Sequence, residues 1–293
     1  MIQHSDEKQI VIYSEEDERQ RLHELYTLHI LDSEPEEAFD RITRFVARLF
    51  HVPISFVSLI TEDRQWFKSC VGIDLRQTER ELSLCQYVIA TKKTLVVPDT
   101  KKDERFKNNP LLDEMGIRFY AGAQLRTKRG HIVGTLCIGD PKPREFTSED
   151  QLTLEELANW VVSEMELRAT IDQQQMEKEA LQKEIKWAGS LQRQLLPSDL
   201  NDPKIQMKSL YLPSNLVSGD FYNYHWITND RLFGYIVDVM GHGVPTALQT
   251  SAIRVLFSQA IELQLSLKET VEWINRSSIP FMPENYYFTA FLF

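Results

Sequence analysis

The sequence predicts an α+β protein built as two modest units joined by one long helix. Three observations carry that prediction. From about Asp17 to Leu167, segments with apolar residues at helical spacing alternate with β-branched runs. No proline then interrupts the helical stretch that opens at Ser148 until Pro197. Beyond Pro197 the composition turns strand-rich again, and the 293 residues are enough for two separate cores.

The bulk numbers narrow the function classes. Hydrophobic residues make up 42% and charged residues 26%, as in ordinary globular proteins. A formal net charge of -10 argues against nucleic acid and against an anionic membrane surface as the main partner, because phosphate binding needs a basic face. No apolar run reaches the length of a membrane span. The opening "MIQHSDEKQIVIYSEEDERQ" lacks the basic start and apolar middle of a secretory signal, so residues 1–16 read as a loose arm of a cytoplasmic protein. Cys70, Cys85 and Cys137 are odd in number and form no CxxC pair, which disfavours a disulfide scaffold or a zinc site.

In chain order, "ERQRLHELYTLHIL" spaces its apolar residues as a helix ending near Leu31. "PEEAFDRITRFVARLF" repeats the period, with Phe39, Ile42, Phe45, Val46 and Phe50 on one face. "ISFVSLI" and "TLVVP" read as strands. "RFYAGAQLR" and "HIVGTLCIGD" read as a hairpin across "TKRG". Ser148 opens a capping box in which its hydroxyl caps a free N–H and Gln151 reaches back. From residue 168 to 197 the helix changes character. Positions 167, 171, 174, 178, 181, 185, 188, 192 and 195 alternate by four and three as a heptad seam with polar interruptions. Two readings fit: a parallel dimeric coiled coil, making the chain a homodimer, or one amphipathic helix lying on its own domain.

Residues 198–293 then supply strands at "KIQMKSLYLPS", "SGDFYNYHWI" and "RLFGYIVDVM", the last apolar on both faces and so central in a sheet. Pro245 suits the first turn of a helix running to about Leu263. "SLKETVEWINRSSI" is a second helix and "NYYFTAFLF" a further strand. This content alone would leave a sheet face or edge uncovered. Asp220 follows a glycine at a strand start, and Asp238 ends a strand just before a glycine turn. No lysine or arginine in "YIVDVMGHGVPT" neutralises Asp238. Hard oxygen ligands of this kind suit Mg²⁺ or Mn²⁺. The competing reading makes Asp238 a cap for the following backbone N–H groups.

"SGDFYN", "DVMGHGVPTAL" and the preceding "LQRQLLP" together resemble the metal-dependent protein phosphatases (PPM, type 2C), in their bacterial RsbU/SpoIIE-like branch. The resemblance covers roughly residues 185–293. It implies part of an α-β-β-α sandwich holding two Mn²⁺ or Mg²⁺ ions, at which a water attacks a phosphoserine or phosphothreonine directly. It implies that Asp238 bridges the ions, that the Val239 carbonyl ligates one, and that Asp220 orients waters or touches a metal. Gly241 and Gly243 would let the turn come close. His242 would either reach metal water or phosphate, or only shape the turn. That family completes its second metal site with later aspartates. After Asp238 the acidic residues here are Glu262, Glu269, Glu272 and Glu284, none in such a motif. The expectation is weak metal binding and little turnover by this chain alone, read as the N-terminal part of the phosphatase domain.

"ILDSEPEEAFDRITRFVARLF", "DRQWFKSCVG", "RFYAGAQL" and "GTLCIGD" resemble a GAF domain over residues 17–167. That implies an antiparallel sheet with helices on the other face, often around a small-molecule pocket. Trp66, Phe67, Phe119 and Tyr120 would line a pocket or form core. Asp99 and Arg118 are candidate polar pocket groups. Cys85 is either a ligand or redox contact or a buried structural thiol. Together the resemblances imply a GAF-regulated bacterial serine/threonine phosphatase acting on a phosphorylated STAS-domain anti-anti-sigma protein. The alternative is a non-catalytic GAF sensor and dimerisation protein with a vestigial or phosphoprotein-binding phosphatase lobe.

Overall fold

The computed structural model describes residues 14–293. Most of the expected N-terminal arm lies outside the described residues, and Glu15 and Glu16 already belong to the first helix. The chain divides into two units, one ending at Gln174 and the other spanning Gln175–Phe293. Among the described residues no helix is long and apolar enough to cross a membrane.

In the first unit, helices α1 (Glu15–Thr27) and α2 (Glu37–Leu49) precede strands β1 (Ile54–Ile60), β2 (Arg64–Val71) and β3 (Gln77–Glu79). Short helix α3 (Cys85–Thr91), strand β4 (Leu95–Val97) and helix α4 (Pro110–Glu114) lead to β5 (Phe119–Arg126) and β6 (Ile132–Asp140). Helix α5 (Ser148–Gln194) follows. The six strands form one antiparallel sheet in the order β3-β2-β1-β6-β5-β4. Alternation along each strand sends neighbouring side chains to opposite faces. One face packs Leu25 of α1, Phe39, Ile42 and Val46 of α2, and Leu154, Ala158 and Val161 of α5 against Val57, Leu59 and Leu136. The other packs Cys85 and Ile89 of α3 and Leu112 of α4 against Phe56, Phe67, Tyr120 and Cys137. Helices therefore cover both faces, where the sequence reading placed them on one.

Two local expectations change for reasons of packing. Phe45 is turned out of the α2 core face and meets Trp160 edge-on, ring centroids 6.3 Å apart. The cap of α5 sits one residue earlier than Ser148. Thr147 Oγ1 accepts from the Asp150 amide at 3.1 Å, and the Asp150 carboxylate accepts from the Thr147 amide at 2.9 Å. Gln151 instead reaches forward to Glu155.

Glu18 ties α1 to the end of β1. Arg21, fully buried, holds its carboxylate at 2.7 and 2.8 Å and also donates to the Ile60 carbonyl at 2.7 Å. Arg80 adds a bond to Glu18 at 2.6 Å. Burial pushes the Glu18 carboxyl up, but the hydrogen bonds and charges of Arg21 and Arg80 outweigh it and hold the group below 4.5. A depressed folded-state pKa contributes stability that is full above the unfolded value and lost as pH falls through the folded value. Urea unfolding at a series of pH values is therefore expected to show stability falling below pH 4.5, and Glu18→Gln is expected to flatten that fall.

In the second unit the last part of α5 leads to strands β7 (Leu200–Asn201), β8 (Gln206–Met207), β9 (Asp220–Thr228) and β10 (Arg231–Val239). Helices α6 (Val244–Glu262) and α7 (Leu267–Ser278) and strand β11 (Phe288–Leu292) complete it. "KIQMKSLYLPS" shrinks to the two residues of β8, paired only with β7. The main sheet has the order β11-β10-β9, so β10 is central as its sequence predicts. Phe221, Tyr235, Val237 and Val239 face α6 and α7, where Ile253, Phe257 and Ile274 complete a core. The opposite face carries Tyr222, Trp226, Ile236 and Phe291; among the described residues no helix packs there, Ser209 and Tyr211 reach across to Tyr222, and Ile236 stays 53% and Phe291 63% exposed. An uncovered face is what the element content implies.

Candidate phosphoryl-transfer site

Antiparallel pairing of β9 with β10 sets Asp220 directly opposite Asp238, on the open face of the sheet. The alternation that buries Val237 and Val239 turns Asp238 outward. Both residues are exposed, so Asp238 is not a charge buried at the end of the central strand. Asp220 is nonetheless held above the usual carboxylate range. Partial burial is the main cause, followed by the charge and hydrogen bond of Asp238. Two like charges face each other across the strands and share the site at a cost that a cation would remove.

The surrounding backbone is shaped by glycines. Gly219 precedes Asp220, and its amide carbonyl accepts from the Val239 amide at 3.2 Å and from Thr250 Oγ1 at 3.1 Å. A Cβ at Gly219 would lie 2.5 Å from the Val239 carbonyl oxygen and 2.7 Å from Thr246 Cγ2. Only glycine lets the strand start approach the Val239 carbonyl and the first turn of α6 together. Gly241, at φ 109°, brings the turn back so that its own Cβ would meet Thr246 Oγ1 at 2.8 Å. Gly243, at φ 83°, enters α6 without a side-chain cap. His242 stands exposed between them.

Ser218 completes the approach. Its hydroxyl accepts from the Asp220 amide at 3.0 Å, while Gln192 of α5 clasps its backbone with bonds of 2.9 and 2.7 Å. Gly189, one turn earlier on α5, lies so close to Leu216 that a Cβ would sit 1.8 Å from its carbonyl oxygen. The end of the heptad seam is thus used inside the unit, as the single-helix reading required, while Leu167, Ile171 and Leu181 stay exposed. Ser218, Thr246 and Thr250 are contributors that sequence reading missed. The spacing of the two threonines by one helical turn was the available signal.

The donor set is short for a metal centre. Among the described residues there is no group of three or more His, Cys, Asp or Glu side chains placed to hold an ion. The two facing carboxylates, with the Val239 carbonyl that Gly219 approaches, would give one hard divalent cation an incomplete protein shell.

The first unit's candidates do not converge on one pocket. Trp66 packs on the α1/α2/α5 face, while its neighbour Phe67 faces α3 and α4 with Cys85 and Tyr120. Phe119 likewise lies on the Trp66 side. Asp99 and Arg118 pair with each other at 2.5 and 3.1 Å, and that hydrogen bonding holds Asp99 below its ordinary range.

Residues 34–165 match the GAF domain family, and residues 228–293 match the family described as stage II sporulation protein E (SpoIIE). The second match includes Asp238 and begins after Asp220. A cyclic di-GMP phosphodiesterase of Pseudomonas aeruginosa is 39% identical over 158 residues, covering 53% of this chain and 27% of the relative. The phosphoserine phosphatase RsbP of Bacillus subtilis is 33% identical over 94 residues, covering 32% of this chain and 23% of the relative. The chain thus spans about a quarter of the length of these curated relatives. Among solved structures, the GAF domain of an Acinetobacter phosphoenolpyruvate-protein phosphotransferase aligns at 16% identity and TM-score 0.40, over 54% of this chain and 96% of that one.

Proposed function

From a chain that carries a GAF domain followed by a SpoIIE-type phosphatase region, we propose a signalling protein in which the GAF domain governs metal-dependent hydrolysis of phosphoserine or phosphothreonine on a partner protein. The pairing of Asp220 with Asp238 carries this reading. Phosphatases of the SpoIIE and RsbP kind are metal-dependent. Mn²⁺ or Mg²⁺ at the pair would lower the pKa of water and neutralise charge on the phosphoryl group. Asp238 and Asp220 would hold the ion, and the Val239 carbonyl would add a third oxygen. Gly241 and Gly243 would leave His242 as the one side chain of the turn beside an entering phosphoryl group. Three protein oxygens are about half of what such an ion takes. Binding is therefore weak and turnover by this chain low.

Helix α5 offers a handle in each unit. In the first, Glu36 bridges Lys68 of β2 at 2.6 Å and Arg168 of α5 at 2.7 Å. In the second, Gln192 grips Ser218, two residues from Asp220. A signal that turns α5 would displace Ser218 and with it the Asp220 carboxylate. The exposed Leu167, Ile171 and Leu181 support a homodimer along α5. A STAS-domain phosphoprotein and a cytoplasmic setting belong to the same proposal, on the resemblance to the RsbU/SpoIIE-like branch.

The test is Mn²⁺-dependent phosphate release from a phosphoserine peptide by the full chain, beside Asp238→Ala. Slow release in the wild type that falls to background in the variant is expected. Release that persists in Asp238→Ala would sink the assignment. The short donor set favours one second reading: a lobe that binds a phosphoprotein without cleaving it. Peptide binding with no release in either protein would select it.

A further inference from the structure

The GAF core contains a polar cluster that packing alone does not need. Cys85 opens α3 and Cys137 lies in β6, and their sulfurs are 3.6 Å apart. Tyr120 Oη touches both, at 3.3 Å from Cys85 Sγ and 3.2 Å from Cys137 Sγ. The ring reaches them because residue 122, paired with Cys137 across the strands, is glycine. A Cβ there would lie 2.3 Å from the Tyr120 hydroxyl. Gln65 Nε2 donates to Cys85 Sγ at 3.1 Å and Ser58 Oγ at 3.4 Å, while Thr135 Oγ1 stands 3.0 Å from Cys137 Sγ. Both sulfurs are buried, on the side of the sheet away from α1, α2 and α5.

We propose that Cys85 and Cys137 form a redox-modification site, oxidised to a disulfide by a small hydroperoxide. The sulfurs need to close from 3.6 Å to about 2.05 Å, a shift within reach of the side chains and of the short helix α3. The donors around Cys85 stabilise its thiolate. Burial pushes that thiol up, but hydrogen bonds from Cys137, Ser58, Thr135 and Tyr120 outweigh it and bring it down to about 6. Cys137, buried beside it, is pushed well up and stays the protonated partner. The Cys85 thiolate attacks one peroxide oxygen, the O–O bond breaks, and the departing oxygen takes a proton to leave as water or alcohol. Cys85 is then a sulfenic acid. Cys137 sulfur attacks the Cys85 sulfur, the S–O bond breaks, and the hydroxide leaves as water with the Cys137 proton. Two thiols lose two electrons and the peroxide gains them. The burial of both sulfurs excludes bulky disulfides such as oxidised glutathione, which is why the proposed oxidant is hydrogen peroxide or a small alkyl peroxide.

Cys70 supplies an internal control. It is the more accessible thiol, yet burial of its sulfur pushes it up to about 12, and the charge of Arg76 offsets only part of this. The experiment is hydrogen peroxide titration of the full native chain, read by free-thiol count, intact mass and peptide mapping. The expected result is loss of two of the three thiols, a mass lower by two hydrogens, and a Cys85–Cys137 peptide that dithiothreitol splits. These two should react at least about tenfold faster than Cys70. Cys137→Ser should halt at a Cys85 sulfenic acid trapped by dimedone. Oxidation of Cys70 first, or three thiols that persist until denaturant is added, would overturn the proposal, and the wild-type measurement decides it whether or not the variant folds.

Discussion

Tyr235→Ala is expected to destabilise the 175–293 unit by about 3–5 kcal/mol, the cost of removing a fully buried aromatic side chain from a core that cannot collapse around the void. Tyr235 is wholly buried in the middle of β10 and stacks on Phe257 of α6 with centroids 4.0 Å apart and planes 11° from parallel. Phe221 and Phe233 meet the same ring at 5.6 and 6.0 Å. It is the contact that fixes α6 to the central strand. Asp238 lies three residues along that strand, and the turn that follows it leads into α6. Denaturant unfolding of the full chain should show the second unit melting earlier while the first is unchanged. Tyr235→Phe, which keeps the ring stack, should retain most of the stability.

Glu36→Ala is expected to cost the first unit about 2–3 kcal/mol. Lys68 has a fully buried side chain and reaches Glu36, the Ser33 hydroxyl and the Glu34 carbonyl. Removing the carboxylate that pairs with it leaves a buried ammonium with only the more distant charge of Asp40, and breaking such a pair costs about 3–5 kcal/mol in a dry site. The Glu36 side chain is one-third exposed, so water screens part of that. The same substitution frees Arg168 from α2's entrance, leaving it the His29 carbonyl and Asp172. Hydrogen exchange along α5 should rise around Arg168. If the proposed signalling route holds, the variant should also uncouple the GAF domain from whatever activity the second unit displays.

Much of this architecture was legible because it is local. The apolar residues on both faces of "RLFGYIVDVM" and the proline and glycine signals around α6 place β10 at the centre of its sheet and its turn before α6, and the carboxylate pair follows from two strands joined by a short loop. What the sequence could not show is which sheet face stays open, because that depends on what packs there. Asp238 therefore read as a buried charge, whereas it sits exposed opposite Asp220. Trp66 and Phe67 read as either pocket lining or core, and strand alternation sends them to opposite cores. Gln192 read as a polar break in a dimer seam, and its partner, the Ser218 backbone, lies 26 residues away through a turn with no pattern of its own. The Cys85–Tyr120–Cys137 cluster joins positions 35 and 17 residues apart, and only the sheet register reveals it.

The most direct test of the central claim, that Asp220 and Asp238 form a divalent-cation site, is an Mn²⁺ titration of the full chain followed by the electron paramagnetic resonance of the free ion. Unit charges 4 Å apart interact by about 1 kcal/mol in water and about 4 kcal/mol near a protein surface, and a divalent ion doubles both. The account predicts one weak site whose affinity falls at least about thirtyfold in Asp220→Asn and in Asp238→Asn alike. No binding in the wild type, or unchanged binding in both variants, would contradict it.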